Sequence, residues 1–336
     1  MDQLYGWGIY AISLLTFGGI YAVLTLGLNV QWGFTGLFNA GIAGFVAVGA
    51  YSSAILTKAF DASHLGGYGL PIPVGWIAAM VLSALIAWAI GRICIRLRSD
   101  YLAIATIGIA EILRLVLKNE SWATNGPRGI PGVPKAWEHL PQPWDQVAFL
   151  LTVMAIVGLI YMALERAWRS PWGRVMTAIR DSEDAARAAG KNVEVFRLQS
   201  FILGAALMGL GGALMAQYAR FIGPDSTDPV KATFLVWVML IAGGSGNNRG
   251  AILGAVLIWT VWSMTEIVTS YLPREASVFG YEISNLPVRA AYLRIFLIGL
   301  VLQFILQRYS TGILPETRPA VAGTPPSGAQ TRESTG

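Results

Sequence analysis

The stretch Trp172-Gly-Arg-Val-Met-Thr-Ala-Ile-Arg-Asp-Ser-Glu-Asp-Ala-Ala-Arg-Ala-Ala-Gly-Lys-Asn-Val-Glu-Val-Phe196 decides how the rest of the chain is read. It is charged, rich in alanine and built from good helix formers, yet apolar runs flank it at 147–164 and 198–222. Ser182, followed by Glu183 and Asp184, puts a capping hydroxyl and two acids at a helix start, where free amides and the positive end of the helix dipole favour them. Gly190 supplies the stop, because a helix end commonly needs a residue at positive φ. The spacing therefore predicts a short surface helix and a turn. Most charge runs are plain solvated faces. This one lies inside the largest polar loop of the chain, which also suits a docking element for a soluble partner.

Outward from that loop the chain is apolar. Of its 336 residues, 54% are hydrophobic and 13% charged, about half the charged share of an ordinary soluble domain. Mean hydropathy is +0.55. A soluble domain of this composition would lack the charges to cover its surface, so the expected class is an all-α polytopic membrane protein. A spanning helix needs about 20 mostly apolar residues. Candidates lie near 7–29, 34–57, 74–95, 101–118, 147–164, 198–222, 231–246, 250–271 and 290–307, about nine in all. No Lys or Arg precedes the first and no clear small-x-small site follows it, so it reads as a retained span rather than a secretory signal.

The basic residues give the expected orientation. Arg92, Arg96 and Arg98 follow the third span. Arg166, Arg169, Arg174, Arg180, Arg187, Lys191 and Arg197 follow the fifth, and Arg308, Arg318 and Arg332 lie in the tail. With nine spans these clusters share the cytoplasmic side. Lys58, Lys118, Arg128, Lys135 and Arg274 remain in the presumed outer loops. The organisation expected is a transmembrane domain over 1–313, with a cytoplasmic loop at about 165–197. A disordered cytoplasmic tail rich in Pro, Gly, Ser and Thr is expected over 314–336.

Two stretches interrupt the apolar pattern. Asn29-Val-Gln-Trp-Gly-Phe-Thr-Gly-Leu-Phe-Asn39 lies between the first two candidates, and Gly243-Gly-Ser-Gly-Asn-Asn-Arg-Gly250 between the seventh and eighth. Unwound backbone at membrane depth is tolerated only where protein buries it or water reaches it, and such breaks mark translocation routes in transporters. Ordinary surface turns are the competing reading. Asn29, Gln31, Thr35 and Asn39 are uncharged groups suited to lining a solute path, or to capping helix ends. Gly243, Gly244 and Gly246 belong to the second break. Glu111 and Arg114, three apart, share a helix face and can pair. Glu111 and Glu266 are also the candidates for a proton relay. Small residues at four-residue spacing, Gly246–Gly250–Gly254, Ala40–Gly44 and Gly209–Ala213, predict closely packed helices.

Several function classes are excluded or weakened. One cysteine, Cys94, rules out a disulfide framework. The two histidines, His64 and His139, are far apart, so no metal or catalytic constellation forms in sequence. The net charge of +5 is accounted for by membrane loops, which leaves no case for nucleic acid. The glycines at 243–250 lack the Gly-Lys-Ser/Thr ending of a phosphate loop.

The charged loop also carries a resemblance. Asp184-Ala-Ala-Arg-Ala-Ala-Gly190 resembles the Glu-Ala-Ala-x-x-x-Gly coupling signature of ATP-binding-cassette importer permeases, with Asp for Glu. The residues before it, Gly173 to Glu183, resemble the same loop in the branched-chain amino acid permeases and the related urea and amide permeases. Leu26 to Gly36, Phe38-Asn-Ala-Gly41 and Val48-Gly-Ala-Tyr51 resemble the first two spans of that family. Thr124-Asn-Gly-Pro-Arg-Gly-Ile-Pro-Gly132 resembles its outer-loop signature, and Ile241 to Gly246 with Gly250 to Ala255 its late glycine-rich break. The likeness runs in order from about residue 20 to residue 305. No Ile-x-Leu-Pro follows Gly190, so it is to the branched-chain branch alone. Arg128 stands where the family pattern implies a small or acidic residue, which leaves the outer mouth's solute preference open.

The resemblance implies a transport subunit rather than an enzyme, in a bacterial or archaeal plasma membrane. Its partners would be a second homologous permease, two cytoplasmic ATPases that bind the ATP, a periplasmic or extracellular solute-binding protein, and membrane lipid. No cofactor is implied for the chain itself. Arg180, Asp181, Glu183, Asp184, Ala185, Ala186 and Gly190 would couple it to the ATPases. The solute class implied is branched-chain or other neutral amino acids, with urea or short amides as the alternative. A proton-coupled secondary transporter is the rival class.

Overall fold

The computed structural model describes residues 2–60, 65–270, 275–278, 281–284, 286–309 and 311–316. His64, Arg274, Arg318 and Arg332 lie outside the described residues, as does 317–336 of the expected tail. In chain order the helices are α1 (Asp2–Leu28), α2 (Ile42–Thr57), α3 (Ile72–Cys94), α4 (Ser99–Asn119), the single turn α5 (Ser121–Thr124), α6 (Trp144–Arg169), α7 (Pro171–Asp181), α8 (Glu183–Ala188), α9 (Val193–Ala219), α10 (Leu235–Gly243), α11 (Asn248–Ser270) and α12 (Leu286–Arg308). π-helical turns at Asn29–Gly33 and Val230–Phe234 extend α1 and precede α10. Two short antiparallel pairs complete the chain: β1 (Ile130–Pro131) with β2 (Phe221–Ile222), and β3 (Glu275–Val278) with β4 (Tyr281–Ser284).

Each of the nine apolar stretches falls on one of these helices, but they are not equal. Among the described residues, five segments, Tyr5–Gly33, Ile72–Cys94, Trp144–Arg169, Val193–Ala219 and Asn248–Ile267, are long and apolar enough to cross a membrane. The stretch expected as one span over 34–57 is helical in its second part only, since α2 begins at Ile42 after a non-helical run. The stretch at 231–246 yields only a π turn and the nine-residue α10. At 1.5 Å per residue neither α2 nor α10 alone reaches the roughly 30 Å of a hydrocarbon core. They are broken elements of the kind the interrupted pattern predicts.

Burial sorts the helices into two layers. The second half of α1, most of α2, the middle of α9 and nearly all of α10 are buried around their whole circumference. A helix apolar all round belongs inside a bundle. α3, α4 and α6 pack against this centre and expose Ile77, Leu85, Ile104, Ile112, Leu151, Leu159 and Met162 on their outer faces. Aliphatic side chains in that number on the outside suit hydrocarbon, not water.

Close approach replaces hydrophobic drive inside the bundle. α1 and α9 touch backbone to backbone: a Cβ on Gly27 would lie 2.8 Å from the Gly204 carbonyl oxygen, and one on Gly204 2.5 Å from that of Gly27. α9 meets α3 the same way, where a Cβ on Gly209 would lie 2.6 Å from the Ala79 oxygen. Larger residues at these points would push the helices apart.

Candidate functional site

Both breaks lie at the same end of the bundle and meet there. The first starts where α1 loosens into its π turn, and its helical part stops at Gly36, φ +69°. From there to Gly41 the chain is not helical. Its polar side chains are buried and spoken for. Asn29 Oδ1 accepts from the Gly246 amide at 2.8 Å, while Asn29 Nδ2 donates to Asn248 Oδ1 at 2.9 Å. One side chain thus joins the two breaks. Gln31 Nε2 donates to the Phe201 carbonyl of α9 at 2.9 Å, and Gln31 Oε1 accepts from Asn39 Nδ2 at 2.8 Å. Thr35 Oγ1 donates to the Gln31 carbonyl at 2.6 Å and lies 3.1 Å from Ser200 Oγ.

The start of α2 shows why these residue types are needed. Its first amides have no carbonyl a turn earlier to bond. Side chains take their place: Thr106 Oγ1 accepts from Ala40, Asn39 Oδ1 from Gly41 and Thr233 Oγ1 from Ala43, at 3.1, 2.8 and 3.0 Å. Asn39 thus bonds an amide at the start of α2, while Asn29 bonds the second break, and Gln31 and Thr35 bond carbonyls of α9 and of the first break.

The second break solves the same problem with backbone. α10 ends at Gly243, and Gly244 (φ +115°) and Gly246 (φ +84°) turn the chain back toward α11. Asn247 Oδ1 caps the new helix, accepting from the Arg249 amide at 2.9 Å. The last carbonyls of α10 find donors far along the chain. Ala242 and Gly243 accept from the Ile313 and Leu314 amides at 3.0 and 2.9 Å. Asn247 Nδ2 donates to the Leu314 and Pro315 carbonyls at 3.3 and 3.0 Å. Residues 311–316 thus form a strap across the break. Residues 314–316 of the expected tail lie in this strap, where the Leu314 amide bonds the Gly243 carbonyl and the Leu314 and Pro315 carbonyls accept from Asn247.

The charged loop sits over the junction. Ser170 and Pro171 end α6 and start α7, and the Phe34 ring packs on Trp168 at 4.4 Å. The predicted short helix is α8. Ser182 caps it, accepting from the Ala185 amide at 3.3 Å. Gly190 (φ +75°) ends it in open space, so the glycine is required for its backbone angle and not for room. Ala186 is buried with Ile179 and Val193, which glues α8 to α7 and α9.

The coupling candidates do not all face outward. Arg180 turns inward: Nη1 donates to the Gly33 carbonyl, and Nη2 lies 3.0 and 2.9 Å from the two carboxylate oxygens of Glu316. Glu183 binds Arg187 at 2.7 Å and Arg197 at 3.2 Å. Asp181, Asp184 and Ala185 are not buried, and a groove of about 390 Å³ between α7 and α8 is lined by Arg174, Ala178, Ala185 and Lys191 among others. Glu111 lies elsewhere, on α4, clamped by Arg114 through two bonds of 2.5 and 2.9 Å. Glu266 lies on α11, away from the junction.

At the opposite end, the outer-loop signature forms a tight turn closed by Asn125 Nδ2 on the Gly129 carbonyl, 2.8 Å, and tied to the end of α9 through β1–β2. Lys135 reaches under it to Asp145 at 3.1 Å and lies 5.5 Å from the rings of both Phe149 and Tyr218. Sequence reasoning missed Asn248, Glu165, Ser200, Thr106 and Glu316. Their partners are tens to hundreds of positions away, so no local signal marks them.

Comparison with known proteins gives four findings. The family model described as branched-chain amino acid transport system / permease component matches residues 10–306. The high-affinity branched-chain amino acid transport system permease protein LivM of Salmonella typhimurium is 31% identical over 92% of this chain and 71% of its own length. A probable branched-chain amino acid transport permease protein LivM of Methanocaldococcus jannaschii is 26% identical over 96% and 97%. The Salmonella permease protein LivH is 23% identical over 78% and 85%.

Proposed function

We propose, from the premise that this multi-pass membrane chain belongs to the branched-chain amino acid transport system permease component family, that it forms half of the translocation pore of an ATP-driven importer for branched-chain or other neutral amino acids. The observation that carries this reading is the junction itself. A charged loop of the docking kind is bonded through Arg180 to the first break, and Asn29 bonds that break to the second. A push on α7 and α8 reaches both interrupted segments within two side chains.

The second half of the pore is a homologous permease, in keeping with the similarity to both LivM and LivH. Two cytoplasmic ATPase subunits take the outer face of Asp181, Asp184, Ala185 and Gly190, and Arg180 passes their movement inward. Charge at such a face mainly sets register and partner choice. A solute-binding protein meets the opposite end. The membrane is the plasma membrane of a prokaryote, with the charged loop in the cytosol, in keeping with its basic clusters. Glu111, held by Arg114, and the braced polar groups of the first break leave the path close to neutral, which suits a zwitterion.

The test is labelled-leucine uptake into cells expressing the full set of subunits. Uptake that stops on ATP depletion, survives an uncoupler and requires co-expressed ATPases supports the reading. Uptake that survives ATP depletion and collapses with the uncoupler would make the chain a secondary transporter.

A further inference from the structure

We infer that the cleft between the end of α6 and the start of α11 is a binding site for one anionic phospholipid. Two cavities adjoin there and share Tyr161. The upper, about 640 Å³, is lined by Glu165, Arg166 and Arg169. The lower, about 600 Å³, is lined by Arg249 above Ile252, Leu253 and Val256, with Leu314 of the strap as one wall. The two helices are packed on α1 side by side, so the groove between them is roofed by the bundle and open outward.

The charge of the cleft is lopsided. Across the two cavities the guanidinium groups of Arg166, Arg169 and Arg249 stand against the single carboxylate of Glu165. Glu165 is already bonded to Arg169 at 2.9 Å and to Asn248 Nδ2 at 3.3 Å. Arg249 Nε donates to Tyr161 Oη at 2.9 Å, which holds its guanidinium at the boundary between the cavities. Arg249 and Arg166 are both exposed.

The lower part is apolar in a helical pattern. Ile252, Leu253 and Val256 fall three, four and seven positions after Arg249, on one face of α11. Basic heads at a helix end with a hydrocarbon stripe below them match a lipid standing in its leaflet, phosphate at the arginines and acyl chain along the stripe. Exposed Met162 and Leu159 on the same helix as Arg166 place the cleft against the bilayer. A free phosphate leaves the stripe uncovered, and a zwitterionic lipid leaves the excess charge unanswered. The site touches the second break through Asn248 and the strap through Leu314, so a bound lipid steadies the same junction that the charged loop grips.

The experiment is native mass spectrometry of the full chain released from detergent, titrated separately with phosphatidylglycerol, phosphatidylcholine and sn-glycerol 1-phosphate. A 1:1 phosphatidylglycerol adduct is expected at a concentration at least tenfold below that for phosphatidylcholine, with no adduct from glycerol phosphate. Arg166→Gln with Arg249→Gln should remove that preference. Arg92→Gln with Arg96→Gln, an equal loss of charge at the end of α3, should keep it and control for folding. The inference is overturned by equal binding of the two lipids, by an unchanged preference in the first double variant, or by glycerol phosphate competing as well as the lipid. Crosslinking of Arg249→Cys to another protein chain instead of to a photoreactive lipid would overturn it too. None of these outcomes bears on ATP coupling.

Discussion

Arg180 and Glu316, 136 positions apart, form a two-pronged ion pair with both oxygens within 3.0 Å of one guanidinium nitrogen and both side chains 16% exposed. The pair fastens the strap over the second break to the helix that carries the charged loop. Glu316→Ala should lower stability by about 1–2 kcal/mol, between the values for an exposed pair and for a hydrogen-bonded charge. Glu316→Gln should recover part of it. Thermal melting of the purified protein reads the difference, and an unchanged midpoint in the alanine variant would show that the strap is not held by this pair.

Asn29 is the only side chain that bonds both Gly246 and Asn248 among the described residues. Asn29→Leu keeps the branching of the side chain and removes the bonds, leaving a buried amide and a buried side-chain oxygen without a partner. Each orphan costs about 1–3 kcal/mol. The variant should express poorly or melt well below the parent, and accessibility of Gly246→Cys to a thiol reagent should rise. Full stability would mean the breaks are joined by other contacts.

Gly190 sits at φ +75° with open space for 4 Å around the point where a Cβ would stand, so a substitution meets strain but no clash. Gly190→Val should cost on the order of 1–2 kcal/mol locally, disorder the end of α8 and reduce uptake per ATP while the chain stays in the membrane. Gly190→Asn, which tolerates the left-handed region, should be milder. Equal uptake in both variants would separate the turn from coupling.

Lys135 is nearly buried, between Asp145 and two aromatic rings. Removing one member of a buried pair leaves an unpaired charge, at a cost of about 3–5 kcal/mol, while removing both with apolar residues can be close to neutral. Lys135→Met should therefore destabilise strongly, and Lys135→Met with Asp145→Leu should regain most of the loss. Additive losses in a double-mutant cycle would show that the pair does not anchor the outer loop.

Much of this architecture is legible in the chain. The Asn29–Asn39 and Gly243–Gly250 interruptions are visible because polar residues and glycines stand inside apolar runs, and both prove to hold unwound segments. Ser182 and Gly190 mark α8 because caps are local chemistry. What is not local is not legible. Hydropathy runs 34–57 together as one span, since Phe34, Leu37 and Phe38 are as apolar as the helix that follows, and nothing nearby shows that α2 takes its cap from Thr106 and Thr233. Arg180 reads as a surface charge in a polar loop. Its inward turn depends on the Gly33 carbonyl and on Glu316, both remote.

The central claim is that Arg180 carries the movement of the charged loop to the broken helices. Arg180→Gln in the complete importer, reconstituted in proteoliposomes, tests it most directly, with uptake and ATP hydrolysis measured on the same vesicles. Hydrolysis that continues while uptake per ATP falls at least tenfold is the predicted result. Uptake and hydrolysis that stay in their original proportion would contradict it.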